Sequence, residues 1–270
     1  MTERIAGRVG PHKESHEPRL DIRNFVALDG DDELLEWSAT NGIADWLMLG
    51  NDQYGDCGAA ATNHAFIAQD GLVADTLGNP TYPGTLATYF AYGLAQGEPG
   101  PQPDEGVDNA TWLGFLYSEG IIQGYAEVPV AHVNHYGSLF KGCLLGLAFD
   151  GNQAIADFQN HVAWGPMARS DGHDVLYVAT REVVTWVGLQ ALAPGFLVAN
   201  ATDAWVIIDP DDPKVDGAAL RAALASVHGV EVPVEPATTP PEAPVEPQEV
   251  TQAPPAPNPH VARTGPSWPV

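Results

Sequence analysis

Leu49-Gly50-Asn51-Asp52-Gln53-Tyr54-Gly55-Asp56-Cys57-Gly58-Ala59-Ala60-Ala61 is a turn-rich run that passes directly into an alanine-rich stretch. Gly, Asn and Asp favour turns and consecutive alanines favour helix. The junction therefore predicts a helix from Cys57 to about Gln69, with Asp56 as its N-cap. A thiol at that position meets the unpaired N–H groups of the first turn. Their partial positive charge stabilises thiolate, and the same groups can hold an oxyanion on a carbonyl that the sulfur attacks. Gly55 and Gly58 let the backbone come close to a substrate. Asp56 works the other way, because a neighbouring carboxylate disfavours thiolate. A free cysteine also serves as a small buried hydrophobe, so nucleophile and core residue are both open readings of Cys57 here.

Working outward, a nucleophilic cysteine needs a base. His173 stands in Ser170-Asp171-Gly172-His173-Asp174, just ahead of an apolar strand predicted over 175–179. A strand can hold an imidazole rigidly at a cleft, as a general base must be held. The tight turn Thr180-Arg181-Glu182 leads to a second strand over 183–186, a hairpin partner that carries Thr185 and Trp186. Further strands are expected over 139–149 and 204–208, with helices over 83–92, 109–119 (stopped by Gly120) and 218–227. The span 195–202 fits either state. Helices first and an antiparallel sheet afterwards make an α+β fold, the helical part packed on the sheet.

A helix-opening cysteine, a distant Gly-His ahead of a strand and a polar-Trp pair on the next strand together resemble the papain-like cysteine peptidase superfamily. In closer detail, Leu49-Gly50-Asn51 with Gly55-Asp56-Cys57, Ala60-Ala61 and His64 is similar to small papain-like proteins of actinobacteria, other soil bacteria and their phages. The likeness runs on through 104–124, Gly172-His173, Thr185-Trp186 and Ala204-Trp205-Val206-Ile207, covering roughly 45–209. It implies a papain-like fold with Cys57 as nucleophile and His173 as general base. Asn51, six residues before the cysteine, takes the place of the amide that completes the oxyanion hole. Thr185 takes the place of the residue that orients the base, where Asn or Asp is usual. A hydroxyl supplies no charge to an imidazolium. His173 is followed by Asp174 where the family has an apolar residue.

The chain has 270 residues, 44% of them hydrophobic, with seven Trp, enough to bury a sizeable core. Its 35 acidic residues against 11 basic give a formal net charge of −24, which repels phosphate backbones and anionic lipid heads. Nucleic acid and membrane surfaces are therefore poor partners. No apolar run approaches the ~20 residues of a spanning helix, and Met1-Thr2-Glu3-Arg4 opens no apolar signal region. With two cysteines and no disulfide framework, a cytoplasmic protein is expected, or a virion component if the phage likeness holds. Three regions are expected: an irregular arm over 1–44, the α+β domain over 45–229 and an acidic proline-rich tail over 230–270. The tail holds 12 of the 24 prolines from Glu231 onward and ends near Trp268. Proline lacks the ladder donor, so an extended polyproline-II segment is expected there.

The other motifs are weaker. His64, two turns after Cys57 on the same helix, reads as a packing residue, and Cys143 as core. His12 with His16 and His132 with His135 have suggestive spacing, but neither pair implies a third ligand. The acidic runs 29–33 and 209–216 break calcium-loop spacing. Asn109-Ala110-Thr111 and Asn200-Ala201-Thr202 match glycosylation sequons by coincidence, and no cofactor or metal is implied. Two functions follow. One is a papain-like cysteine hydrolase that cuts a peptide or isopeptide bond in a peptide or protein substrate. The other is a non-catalytic structural protein, a phage capsid or tail component, that binds neighbouring structural proteins through its extended tail.

Overall fold

The computed structural model describes residues 18–27, 36–43, 45–70 and 82–229. The turn-to-alanine junction opens α1 (Cys57–Asp70), followed by α2 (Tyr82–Ala95) and α3 (Asn109–Ser118). Then come β1 (Tyr125–Glu127), α4 (Val133–Phe140), β2 (Cys143–Phe149), α5 (Gly151–Gln159), β3 (Asp171–Ala179), β4 (Glu182–Thr185) and β5 (Gly188–Ala191). The described part closes with α6 (Phe196–Asn200), β6 (Ala201–Ile207) and α7 (Gly217–His228). The chain divides into units Met1–Val232 and Pro233–Val270, and the described residues belong to the first. The expected tail with Trp268, the run 29–33 and the pair His12/His16 lie outside the described residues.

Local chemistry accounts for several boundaries. Asp108, Asp150 and Asp216 each accept a backbone N–H of the following first turn, capping α3, α5 and α7. Gly229 ends α7 at φ 64, in the left-handed region that glycine enters without strain. The strand expected over 139–149 is shorter than its apolar run. Residues 139–140 finish α4, Lys141 turns at φ 58, and the strand starts only at Cys143. The ambiguous 195–202 resolves into the short helix α6 and the start of β6.

The six strands form one sheet in the order β1-β6-β2-β3-β4-β5, every neighbouring pair antiparallel. All seven residues of β2 are buried, which is why the strand reads as an unbroken apolar run rather than an alternating one. Among the described residues Trp112, Trp164, Trp186 and Trp205 are the largest fully buried side chains of the core. Segment 18–27 joins the β1 edge, where Glu127 N–H donates to the Leu20 carbonyl at 2.7 Å. Among the described residues no helix is long and apolar enough to cross a membrane. What positions the chemistry is the alternation of β3. In its register with β2, Gly172, Asp174 and Leu176 share one face, while Asp171, His173 and Val175 share the other.

Candidate functional site

The loop before α1 is packed tightly enough to need its glycines. Gly50 lies at φ +108, and a Cβ there would stand 2.7 Å from Asp56 Oδ2. Asp56 itself is fully buried. Its Oδ1 accepts from Asn51 Nδ2 at 3.4 Å, and its Oδ2 has no hydrogen-bond partner. Asp104 holds the same loop from outside, accepting from Gly55 N–H at 2.6 Å and from the Tyr89 hydroxyl at 3.0 Å. A Cβ on Gly58 would fall 2.2 Å from Val107 Cγ2 and 3.2 Å from Asp174 Oδ2. The missing side chain is thus what lets a carboxylate of β3 reach the first turn of α1.

That carboxylate is the partner of the thiol: Cys57 Sγ donates to Asp174 Oδ2 at 3.3 Å. The other oxygen of Asp174 accepts from Asn109 Nδ2 at 2.8 Å, and the same amide donates to Asp203 Oδ1 at 3.1 Å. Register explains how one amide reaches both. Gly146 of β2 pairs with Asp174 of β3 on one side and Asp203 of β6 on the other, so the two carboxylates flank a residue without a side chain on one sheet face. Asp203 is fixed further by Trp205 Nε1 at 2.8 Å and by the Thr202 hydroxyl at 3.1 Å. Asn109 is the first residue of α3, set by the Asp108 cap.

His173 takes the opposite face of β3. Its Nε2 is 2.8 Å from Thr185 Oγ1, and its ring stacks on Trp186 with centroids 5.1 Å apart. His173 Nδ1 and Trp186 Nε1 are both buried without a hydrogen-bond partner. The structure therefore brings His173 to Thr185, Cys57 to Asp174 and Asn51 to Asp56. The expected contact of Cys57 with His173 is not among the hydrogen bonds of either residue. Neighbouring residues of a strand point to opposite faces, and of the pair it is Asp174 that meets the Cys57 sulfur.

Protonation follows burial more than the helix N-terminus. Burial pushes the Cys57 thiol well above its ordinary range, and the nearby Asp174 charge adds to this, reversing the lowering expected from the helix start. Burial raises Asp174 to about 7; the Asp203 charge adds to the rise, while the Asn109 and Cys57 hydrogen bonds oppose it. Asp56 is raised to about 8, again mainly by burial. Burial lowers His173 to about 3 and His64 to about 4. At neutral pH both imidazoles are uncharged and Cys57 is a thiol beside a carboxyl group poised to gain or lose a proton. A nucleophile, a base within reach of it and a third group orienting the base is the arrangement that acyl transfer through a thioester requires.

Sequence reasoning missed Asp174, Asn109 and Asp203 as parts of this site. The signal for the first was present, in the polar residue where the family resemblance has an apolar one. His64 packs as expected, its Nε2 3.0 Å from the Leu47 carbonyl and its ring edge-on to Trp46. Cys143 is fully buried in the core. Asn109 and Asn200 of the two sequons are buried and hydrogen-bonded. Among the described residues no group of three or more His, Cys, Asp or Glu could hold a metal ion.

No protein-family model matches the chain, and no curated protein matches it in sequence. Among solved structures it is similar to Xylellain, a cysteine protease from Xylella fastidiosa, at 14% identity and a TM-score of 0.48. The likeness covers 77% of this chain and 98% of that one. At that level it carries no argument about this chain's chemistry.

Proposed function

We propose that the chain is a papain-like cysteine hydrolase that cleaves a peptide or isopeptide bond through Cys57, with Asp174 as proton acceptor. The observation that carries this reading is the 3.3 Å contact of Cys57 Sγ with Asp174 Oδ2. In the acylation step the Sγ–H proton passes to Asp174 as sulfur bonds to the carbonyl carbon. The resulting oxyanion is met by the unpaired N–H groups of the first turn of α1, since the Asn51 amide is engaged with Asp56. The C–N bond then breaks and the amine leaves with the proton from Asp174. Asp174 next takes a proton from water, hydroxide oxygen bonds to the thioester carbon, and the acid departs as the thiol is restored. A base that titrates near 7 suits both proton transfers. In this reading His173 and Thr185 brace β3 against β4.

A non-catalytic structural role on the same fold, as in a phage particle, is the second reading. It is favoured by the raised thiol pKa and by the burial of His173 with its Nε2 on Thr185. The two separate on turnover of p-nitrophenyl acetate in a Cys143→Ser background, followed by nitrophenolate release and intact mass. Under the hydrolase reading the parent turns over, Asp174→Asn loses both the acylation burst and turnover because the thiol has no proton acceptor, and His173→Gln still turns over. A parent no faster than Cys57→Ala overturns the hydrolase reading in favour of the structural one. A stall in His173→Gln but not in Asp174→Asn would return the base to the imidazole.

A further inference from the structure

One amide serves two carboxylates at this site, and they are not equivalent. Asp174 faces the sulfur. Asp203 does not touch it, yet its carboxyl group receives three donors: Asn109 Nδ2, Trp205 Nε1 and the Thr202 hydroxyl. Gly146 between them is the condition for this arrangement, because a Cβ there would stand 2.7 Å from both Asp203 Oδ2 and Thr202 Oγ1. Asn109 is 5% exposed, and its orientation is settled by its two acceptors, since Oδ1 turned toward them would repel both. We infer that Asp203 is a positioning residue for Asp174: it holds the shared Asn109 amide in place, and its own charge sets the pH at which Asp174 can take the Cys57 proton.

This rests on the hydrolase reading for its catalytic consequence, though not for the coupling itself. The groups facing Asp174 are Cys57 from α1, Asp108 from the cap of α3 and Asp203 from β6, while β2 offers only Gly146. Arg19 interacts with Asp203 and Asp108, with its guanidinium 6.0 Å from the centre of the Trp205 ring. The two components act on Asp174 in opposite directions. The Asp203 charge favours the protonated form of Asp174, whereas the Asn109 donor favours its carboxylate.

The test is the pH dependence of thioester hydrolysis in Asp203→Asn and Asn109→Ala, paired with a carbon-13 carboxyl titration of Asp174 in the same proteins. The Asp174 signal is assigned by its loss in Asp174→Asn. Asp203→Asn keeps the side-chain shape and removes the charge, so both midpoints should move toward acid by about one pH unit, the scale of a neighbouring like charge. Asn109→Ala should move both toward alkali. A purely structural role for Asp203 would change amplitude and stability but leave the midpoints in place. Unmoved midpoints in Asp203→Asn, with the parent still turning over, overturn the inference alone. Titration that shifts as expected in a protein without turnover upholds the coupling and sinks the hydrolase reading.

Discussion

Asp56→Asn separates burial from capping at the start of α1. Asp56 is fully inside, with one oxygen on Asn51 at 3.4 Å and the other unpartnered against Gly50. Burial raises its pKa from 3.8 to about 8, so the folded chain keeps a proton that the unfolded chain releases. A raised folded-state pKa contributes stability that is fully present below about pH 4 and is lost as pH rises toward 8. Each pH unit above the unfolded value costs ~1.4 kcal/mol, so the loss by pH 7 is on the order of 4 kcal/mol. Asparagine has nearly the same shape, can still accept from Asn51 and does not titrate. The variant should match the parent near pH 4 and exceed it at pH 7 by a few kcal/mol (on the linkage scale above). Urea unfolding followed by tryptophan fluorescence at several pH values between 4 and 9 measures the difference. A variant less stable than the parent at pH 8 would refute the reasoning, for it would mean an ionised Asp56 capping α1.

Two further outcomes follow from the packing around the site. Gly58→Ala should destabilise the fold by about 1–3 kcal/mol, because its Cβ would meet Val107 Cγ2 at 2.2 Å. Adding Val107→Ala should restore part of that loss, as a double-mutant cycle in urea would report. Thr185→Val keeps the volume but removes the Nε2 partner of His173, whose Nδ1 is already unpartnered. It should cost about 1–3 kcal/mol in the same unfolding assay.

The helix of Cys57 could be read from a turn-rich loop meeting consecutive alanines, and α3 and α7 from apolar runs closed by glycines. These features act within a few residues, so the chain carries them wherever it lies. β2 was legible too, although its start was hidden because 139–140 are as apolar as the strand and only the Lys141 turn separates them. The helices α4 and α5 and the edge strands β1 and β5 carried weaker local signals and escaped. The partner of the thiol was decided elsewhere. His173 and Asp174 are neighbours on one strand, and which of them meets the thiol depends on register with β2 and on the contact that Gly58 permits. Charge behaved likewise. The helix start that should favour thiolate is local, whereas the burial that keeps Cys57 and Asp56 protonated and His173 neutral comes from distant segments meeting. Sequence alone established that a cysteine opens a helix beside an antiparallel sheet. Tertiary packing decided that a carboxyl group meets it there, because desolvation and strand facing are properties of the assembled layers.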